Sequence, residues 1–113
     1  MEIIEEVIDD IVVEIVNFER ATLREAEELK YKTESKVNSG YNKFIIDLSS
    51  VEFIDSTFLG VIVGTLKKAV KSGGDLKLIG FQPNVRSMFE LTRLFRVFET
   101  YTDLQEAIRS FHK

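Results

Sequence analysis

One stretch constrains the chain more than any other: Phe44-Ile45-Ile46-Asp47-Leu48-Ser49-Ser50-Val51-Glu52-Phe53-Ile54-Asp55-Ser56-Thr57-Phe58-Leu59-Gly60-Val61-Ile62-Val63-Gly64. Residues 44–48 are apolar apart from Asp47 and rich in β-branched side chains, the composition of a central strand covered on both faces. From Leu59 the period changes. Leu59, Ile62, Val63, Leu66 and Val70 recur at helical spacing and predict one buried helix face. Between the two lies Asp55-Ser56-Thr57, at a strand-to-helix junction where the first helical N–H groups have no partners. Small polar side chains suit such a junction as caps, because their oxygens accept those N–H bonds. The same free N–H groups, at the positive end of the helix dipole, suit a phosphate carried on one of the hydroxyls. Both readings stand on the residues alone.

The rest of the chain reads as alternating elements. Residues 2–8 and 11–18 are two β-branched runs, and Asp9-Asp10 between them fits a hairpin turn. Thr22 to about Asn38 is rich in Leu, Ala, Glu and Lys and predicts a helix, with Thr22 and Glu25 spaced as a capping box. Its apolar positions (Leu23, Ala26, Leu29, Tyr31, Val37) are few, so it should be peripheral. Ser39-Gly40 ends it. In the loop 49–54, Val51, Phe53 and Ile54 are expected to point inward. The helix from about residue 57 ends at Ser72-Gly73-Gly74, with Lys67, Lys68 and Lys71 at the negative end of its dipole. Gly60 and Gly64, four apart, either mark close approach to another backbone, most simply the sheet, or are incidental small residues. Residues 75–80 form a further strand. Gln82-Pro83-Asn84 opens a third helix with Val85, Met88, Phe89 and Leu91 on its apolar face. Residues 94–98 pass into a brief last strand, and Thr102 or Asp103 caps a terminal helix carrying Leu104, Ala107, Ile108 and Phe111. The expected fold is α/β, one domain over residues 1–113, with a mixed sheet of about five strands and about four α-helices.

Composition narrows the function. With 113 residues, 15 basic against 19 acidic side chains and a net charge of −4, the chain is expected to meet proteins rather than nucleic acid or an anionic membrane. It has no cysteine and a single histidine, His112, beside the C-terminus. No thiolate chemistry or Cys-ligated zinc follows from that, and Ser56 has a carboxylate neighbour but no histidine to serve as its base. No phosphate-binding glycine loop or dinucleotide fingerprint is present. The expectation is a protein without catalysis, cofactor or metal. The acidic start lacks the basic region and apolar run of a signal peptide, so the expected compartment is the cytoplasm.

At Asp55-Ser56-Thr57-Phe58-Leu59-Gly60 the sequence resembles the Asp-Ser-Ser/Thr-Gly-Leu-Gly signature of bacterial anti-sigma-factor antagonists, the STAS-domain family. The likeness extends back over residues 44–54. It runs forward through Val63-Gly64-Thr65, Ser72-Gly73-Gly74-Asp75-Leu76-Lys77-Leu78 and residues 85–98, in which Met88-Phe89-Glu90-Leu91-Thr92 and Leu94-Phe95 carry it. Residues 1–40 match only in length and element order. Phe58 stands where the family usually has Gly, and Val16-Asn17-Phe18-Glu19-Arg20 lacks the family's Gly-Glu-Leu/Ile-Asp motif. The resemblance implies a non-catalytic STAS fold that binds an anti-sigma factor with serine-kinase activity. Unphosphorylated, it would sequester that partner and so free a sigma factor. Phosphorylated, it would let go, with room for a phosphatase that resets the cycle. Ser56 is the implied phosphoacceptor and Thr57 the second choice. Helical spacing places Phe58, Val61 and Thr65 towards one flank, an apolar patch beside the hydroxyls that a partner would cover; alternatively, Phe58 folds back into the core. Asp55 would orient the hydroxyl, cap the helix, or do both. The rival reading is a STAS scaffold in a stress-sensing or lipid-transport complex, with a loop never phosphorylated. A small-ligand-binding α/β domain is a further alternative.

Overall fold

The computed structural model describes residues 2–112. Strands β1 (Ile3–Ile8) and β2 (Ile11–Val16) pair antiparallel, Ile8 opposite Ile11. The Asp9-Asp10 turn closes them, and Asp9 takes the left-handed conformation (φ 58°) that two-residue hairpin turns require. Beyond the hairpin every neighbour is parallel: β2 with β4 (Lys43–Asp47), β4 with β6 (Asp75–Ile79), and β6 with β7 (Glu99–Tyr101). The sheet order is β1-β2-β4-β6-β7, so β1 and β7 are the edges.

Parallel neighbours need crossovers, and these carry α1 (Leu23–Asn38), α2 (Ser56–Lys71) and α3 (Pro83–Leu91). All three step the same way across the sheet, so with right-handed connections the helices fall on one face. Alternation along the strands divides the core accordingly. Val12, Val16, Phe44, Ile46, Leu76 and Leu78 meet α1–α3, whereas Val13, Ile45 and Ile79 meet α4 (Leu104–Phe111), which covers the other face. Lys77 points to that second face and is almost wholly buried there. Its ammonium is satisfied by Ser110 Oγ at 2.6 Å, Glu99 at 3.3 Å and the Phe111 ring at 4.1 Å.

The strands of this five-stranded sheet and the four α-helices lie close to where the sequence predicts, with differences in which side chains are inside. Helix α2 buries Phe58, Leu59, Ile62, Thr65, Leu66 and Ala69, while Val70 is exposed. The stripe 58-62-65-69 keeps helical spacing as well as the expected one does, and it alone brings the largest side chain inward. Helix α1 buries Ala26, Leu29 and Thr33, and Leu23 and Tyr31 are exposed. In the 49–54 loop Val51 and Ile54 are buried, but Phe53 lies at the surface beneath Arg20. Leu91 is exposed at the end of α3. The close backbone approach expected of Gly60 and Gly64 occurs instead at Gly74, where a Cβ would collide with the Asn42 carbonyl.

Candidate functional site

Two short strands that periodicity could not reveal position the site. β3 (Arg20–Ala21) pairs parallel with β5 (Phe53–Ile54). The Glu19 carbonyl accepts from the N–H groups of Glu52 and Phe53 at 2.7 and 3.0 Å, and the Ala21 carbonyl accepts from Asp55 N–H at 3.1 Å. Helix α1 begins directly after β3 and α2 directly after β5, so this pairing sets two helix N-termini side by side. The α1 terminus is closed by its capping box, in which Thr22 N–H donates to Glu25 Oε1 at 2.9 Å. That bond holds the Glu25 carboxyl below the usual carboxylate range.

The α2 terminus is only partly closed. Asp55 is the cap: its Oδ1 accepts from Phe58 N–H at 2.8 Å and its carbonyl from Leu59 N–H at 3.0 Å. Ser56 and Thr57 form the first helical positions, and both are exposed. Among the described residues neither hydroxyl takes part in a hydrogen bond, and their backbone N–H groups, which precede the first intrahelical bond, find no acceptor. The result is a pair of free hydroxyls over free N–H groups, with one carboxylate beside them.

Beside Thr57 a groove of about 330 Å³ opens between α1 and α2. Thr57, Gly60, Val61, Gly64 and Lys68 line it from α2, and Lys30 and Glu34 from α1. A Cβ at Gly60 or Gly64 would meet nothing within 4 Å, so these glycines widen the groove rather than admit the sheet. Its floor is the contact of the buried Thr33 and Thr65 hydroxyls at 3.3 Å, each also donating to its own helix, at Leu29 and Val61 carbonyls. Its far end is closed by Lys68 on Glu34 at 2.8 Å, which draws the Glu34 carboxyl below its ordinary range.

The expected apolar patch beside the hydroxyls therefore needs correction. Of its three members Val61 alone stays at the surface, half-buried in the groove wall. Phe58 is fully buried, and Thr65 is 4% exposed on the groove floor. Phe58 lies four residues before Ile62 and seven before Thr65, which puts all three on the side of α2 that faces the sheet and α1. Asp55 caps α2, and Ser56 and Thr57 open its first turn at the surface. The groove itself escaped sequence reading, although two glycines four apart on a helix were its signal. Among the described residues no group of three or more His, Cys, Asp or Glu could hold a metal ion. No helix of the described residues is long and apolar enough to cross a membrane.

The fold that carries this junction has counterparts among known proteins. The family described as STAS domain matches residues 4–107. The chain belongs to the STAS domain family. A relative from Thermotoga maritima, named as a candidate anti-sigma factor antagonist, is 35% identical over 111 residues and 95% of each chain. The crystal structure of a T. maritima protein of that description superposes with a TM-score of 0.91 at 33% identity, over 98% of this chain and 95% of the other. The anti-sigma-B factor antagonist of Bacillus subtilis is 45% identical over a shorter span of 49 residues, 43% of this chain and 45% of that one. The Bacillus cell fate determinant SpoIIAA in its phosphorylated form shares the STAS fold alone (TM-score 0.77, 22% identity, covering 96% and 97% of the two chains). The mixed five-stranded sheet and four α-helices of the described residues are the STAS arrangement of these antagonist structures.

Proposed function

We propose that this STAS protein is an anti-sigma factor antagonist whose grip on its partner is set by phosphorylation of the Ser56–Thr57 pair. The observation that carries the reading is the exposed, unbonded hydroxyl pair at the open N-terminus of α2. The partner is an anti-sigma factor with serine-kinase activity. It covers the first turn of α2 and the adjoining groove, touching Asp55, Ser56, Thr57 and Val61 when the hydroxyls are free. Ser56 is the acceptor and Thr57 the alternative. The protein acts by occupying its partner, with no reaction of its own.

Elementary energetics support a switch at the interface rather than in the fold. A phosphate adds roughly −1.5 to −2 charges. The helix terminus favours it by about 0.3–1 kcal/mol, and the Asp55 carboxylate opposes it, so the fold changes little. Burying that charge unpaired beneath a partner costs several kcal/mol. Since about 1.4 kcal/mol is tenfold in affinity, the partner is released.

The test is intact-mass analysis after incubation with ATP and the anti-sigma kinases of the same organism, for the native protein, Ser56→Ala and Thr57→Ala. The expected result is one added phosphate, lost in Ser56→Ala and retained in Thr57→Ala. Loss in Thr57→Ala instead moves the acceptor by one residue. Stable partner binding with no phosphate from any kinase refutes the switch and leaves the STAS scaffold reading.

A further inference from the structure

Glu14 lies in the middle of β2, on the face covered by α1, with 0% of its surface exposed. In register beside it are Ile46 of β4 and Glu5 of β1. The charged groups facing it are Glu5 from the sheet and Lys32 and Lys36 from α1. Lys36 is already engaged, 3.4 Å from Glu5 Oε1. Glu28, also on α1, is turned to the Ile3 N–H at 3.1 Å. Both Glu14 oxygens and Glu5 Oε2 are buried and meet no donor among the described residues.

Two carboxylates cannot sit ionised together in a dry space, and a buried carboxylate without donors is costly. A single proton pairs two of the three unmet oxygens and leaves the third as the carbonyl oxygen of a neutral acid, which costs far less to bury than a charged one. Carried on Glu14, it makes one oxygen a donor to Glu5, whose other oxygen keeps its ion pair with Lys36. We infer that Glu14 is held as a neutral carboxylic acid in the native protein, its O–H given to Glu5, and that this proton is a latch seating α1 on the hairpin. Burial, and after it the neighbouring Glu5, push the Glu14 carboxyl up to about 10. The seating of α1 and the proton are thereby linked. Lifting α1 admits water, returns Glu14 to ordinary acidity and releases the proton, and removing the proton favours the lifted helix. Because α1 is one wall of the groove beside Thr57, the latch also fixes the width of that groove.

Carbon-13 NMR of Glu-labelled protein follows each carboxyl with pH, and amide hydrogen exchange follows α1. The expected result is one Glu carboxyl that stays in the acid form from pH 5 to pH 8, absent in Glu14→Gln. Across the same range the protection of α1 amides, corrected for intrinsic exchange, falls about tenfold per pH unit in the native protein and is flat in Glu14→Gln. Glu14→Met, which needs no donor, serves where the glutamine variant does not fold and should be equally flat. A native protein whose carboxyls all ionise below pH 6, or equal slopes in native protein and variants, overturns the inference.

Discussion

Replacing Phe58 by Ala separates a core residue from a docking residue. The ring is fully buried in the main core cluster, which covers the helix-bearing face of the sheet. Truncating a buried Phe to Ala costs about 3–5 kcal/mol, the transfer of the ring plus the cavity left behind. Alanine's better helix propensity returns at most about 0.5 kcal/mol. A chain of 113 residues has on the order of 6–17 kcal/mol of stability in all. The variant should therefore fold at low temperature with its melting temperature lowered by about 12–20 °C. Urea unfolding followed by circular dichroism gives the energy directly, with Val61→Ala, half-buried, as a control losing about 1 kcal/mol or less. Affinity for the partner, measured where both proteins are folded, should be unchanged for Phe58→Ala. A stability loss below about 1 kcal/mol together with lost partner binding would refute the placement, and would restore Phe58 to the surface patch its helical position suggests.

Three further outcomes follow from the same geometry. Gly60→Ala should raise stability by about 0.5–1 kcal/mol, because a methyl there meets nothing and the helix gains propensity; a lowered urea midpoint would mean the groove is closed in solution. Asp55→Ala should cost about 1 kcal/mol through loss of the Phe58 N–H acceptor, and Asp55→Ser should restore most of it in the same assay. Glu14, raised from about 4.5 to about 10, binds a proton in the folded chain that the unfolded chain gives up. Its contribution is whole below about pH 4.5 and is lost as pH rises towards 10, at about 1.4 kcal/mol per pH unit. Glu25, whose carboxyl is lowered, acts in the opposite sense and at the acid end. The urea midpoint of the native protein should thus fall between pH 5 and 9 more steeply than that of Glu14→Gln, and parallel curves would contradict the assignment.

What the sequence revealed, and what it hid, divides by physical range. Local signals read well. The Thr22–Glu25 box, the Asp55 cap and the Gly-Gly end of α2 are contacts between near neighbours, and all three are present. The order of strands and helices follows from hydrophobic period, which survives any packing that buries one face. The hidden features all depend on which elements meet. β3 and β5 are two residues each, too short to carry a period, yet they align the two helix starts. Phe58 could lie at either edge of the α2 stripe, and tertiary packing against α1 and the sheet decided it. Gly60 and Gly64 read as a close approach because a helix seldom spends two glycines on open space. Glu14 is one acid in an otherwise apolar, β-branched run, and its position between Val13 and Ile15 was already a sign of a buried and unusual carboxyl.

The outer position of β1 has a consequence for solubility. Its sequence, Ile-Ile-Glu-Glu-Val-Ile, is otherwise the apolar, β-branched hexamer that stacks into cross-β assemblies, and one of its edges carries no neighbouring strand. Consecutive glutamates put one acid on each face of the strand. A second chain adding at this edge would bury a carboxyl whichever way its side chains turned. Glu6 guards the outer face and Glu5 the face beneath α1, so the residue that meets the Glu14 carboxyl inside the fold also helps keep separate molecules from joining into fibres.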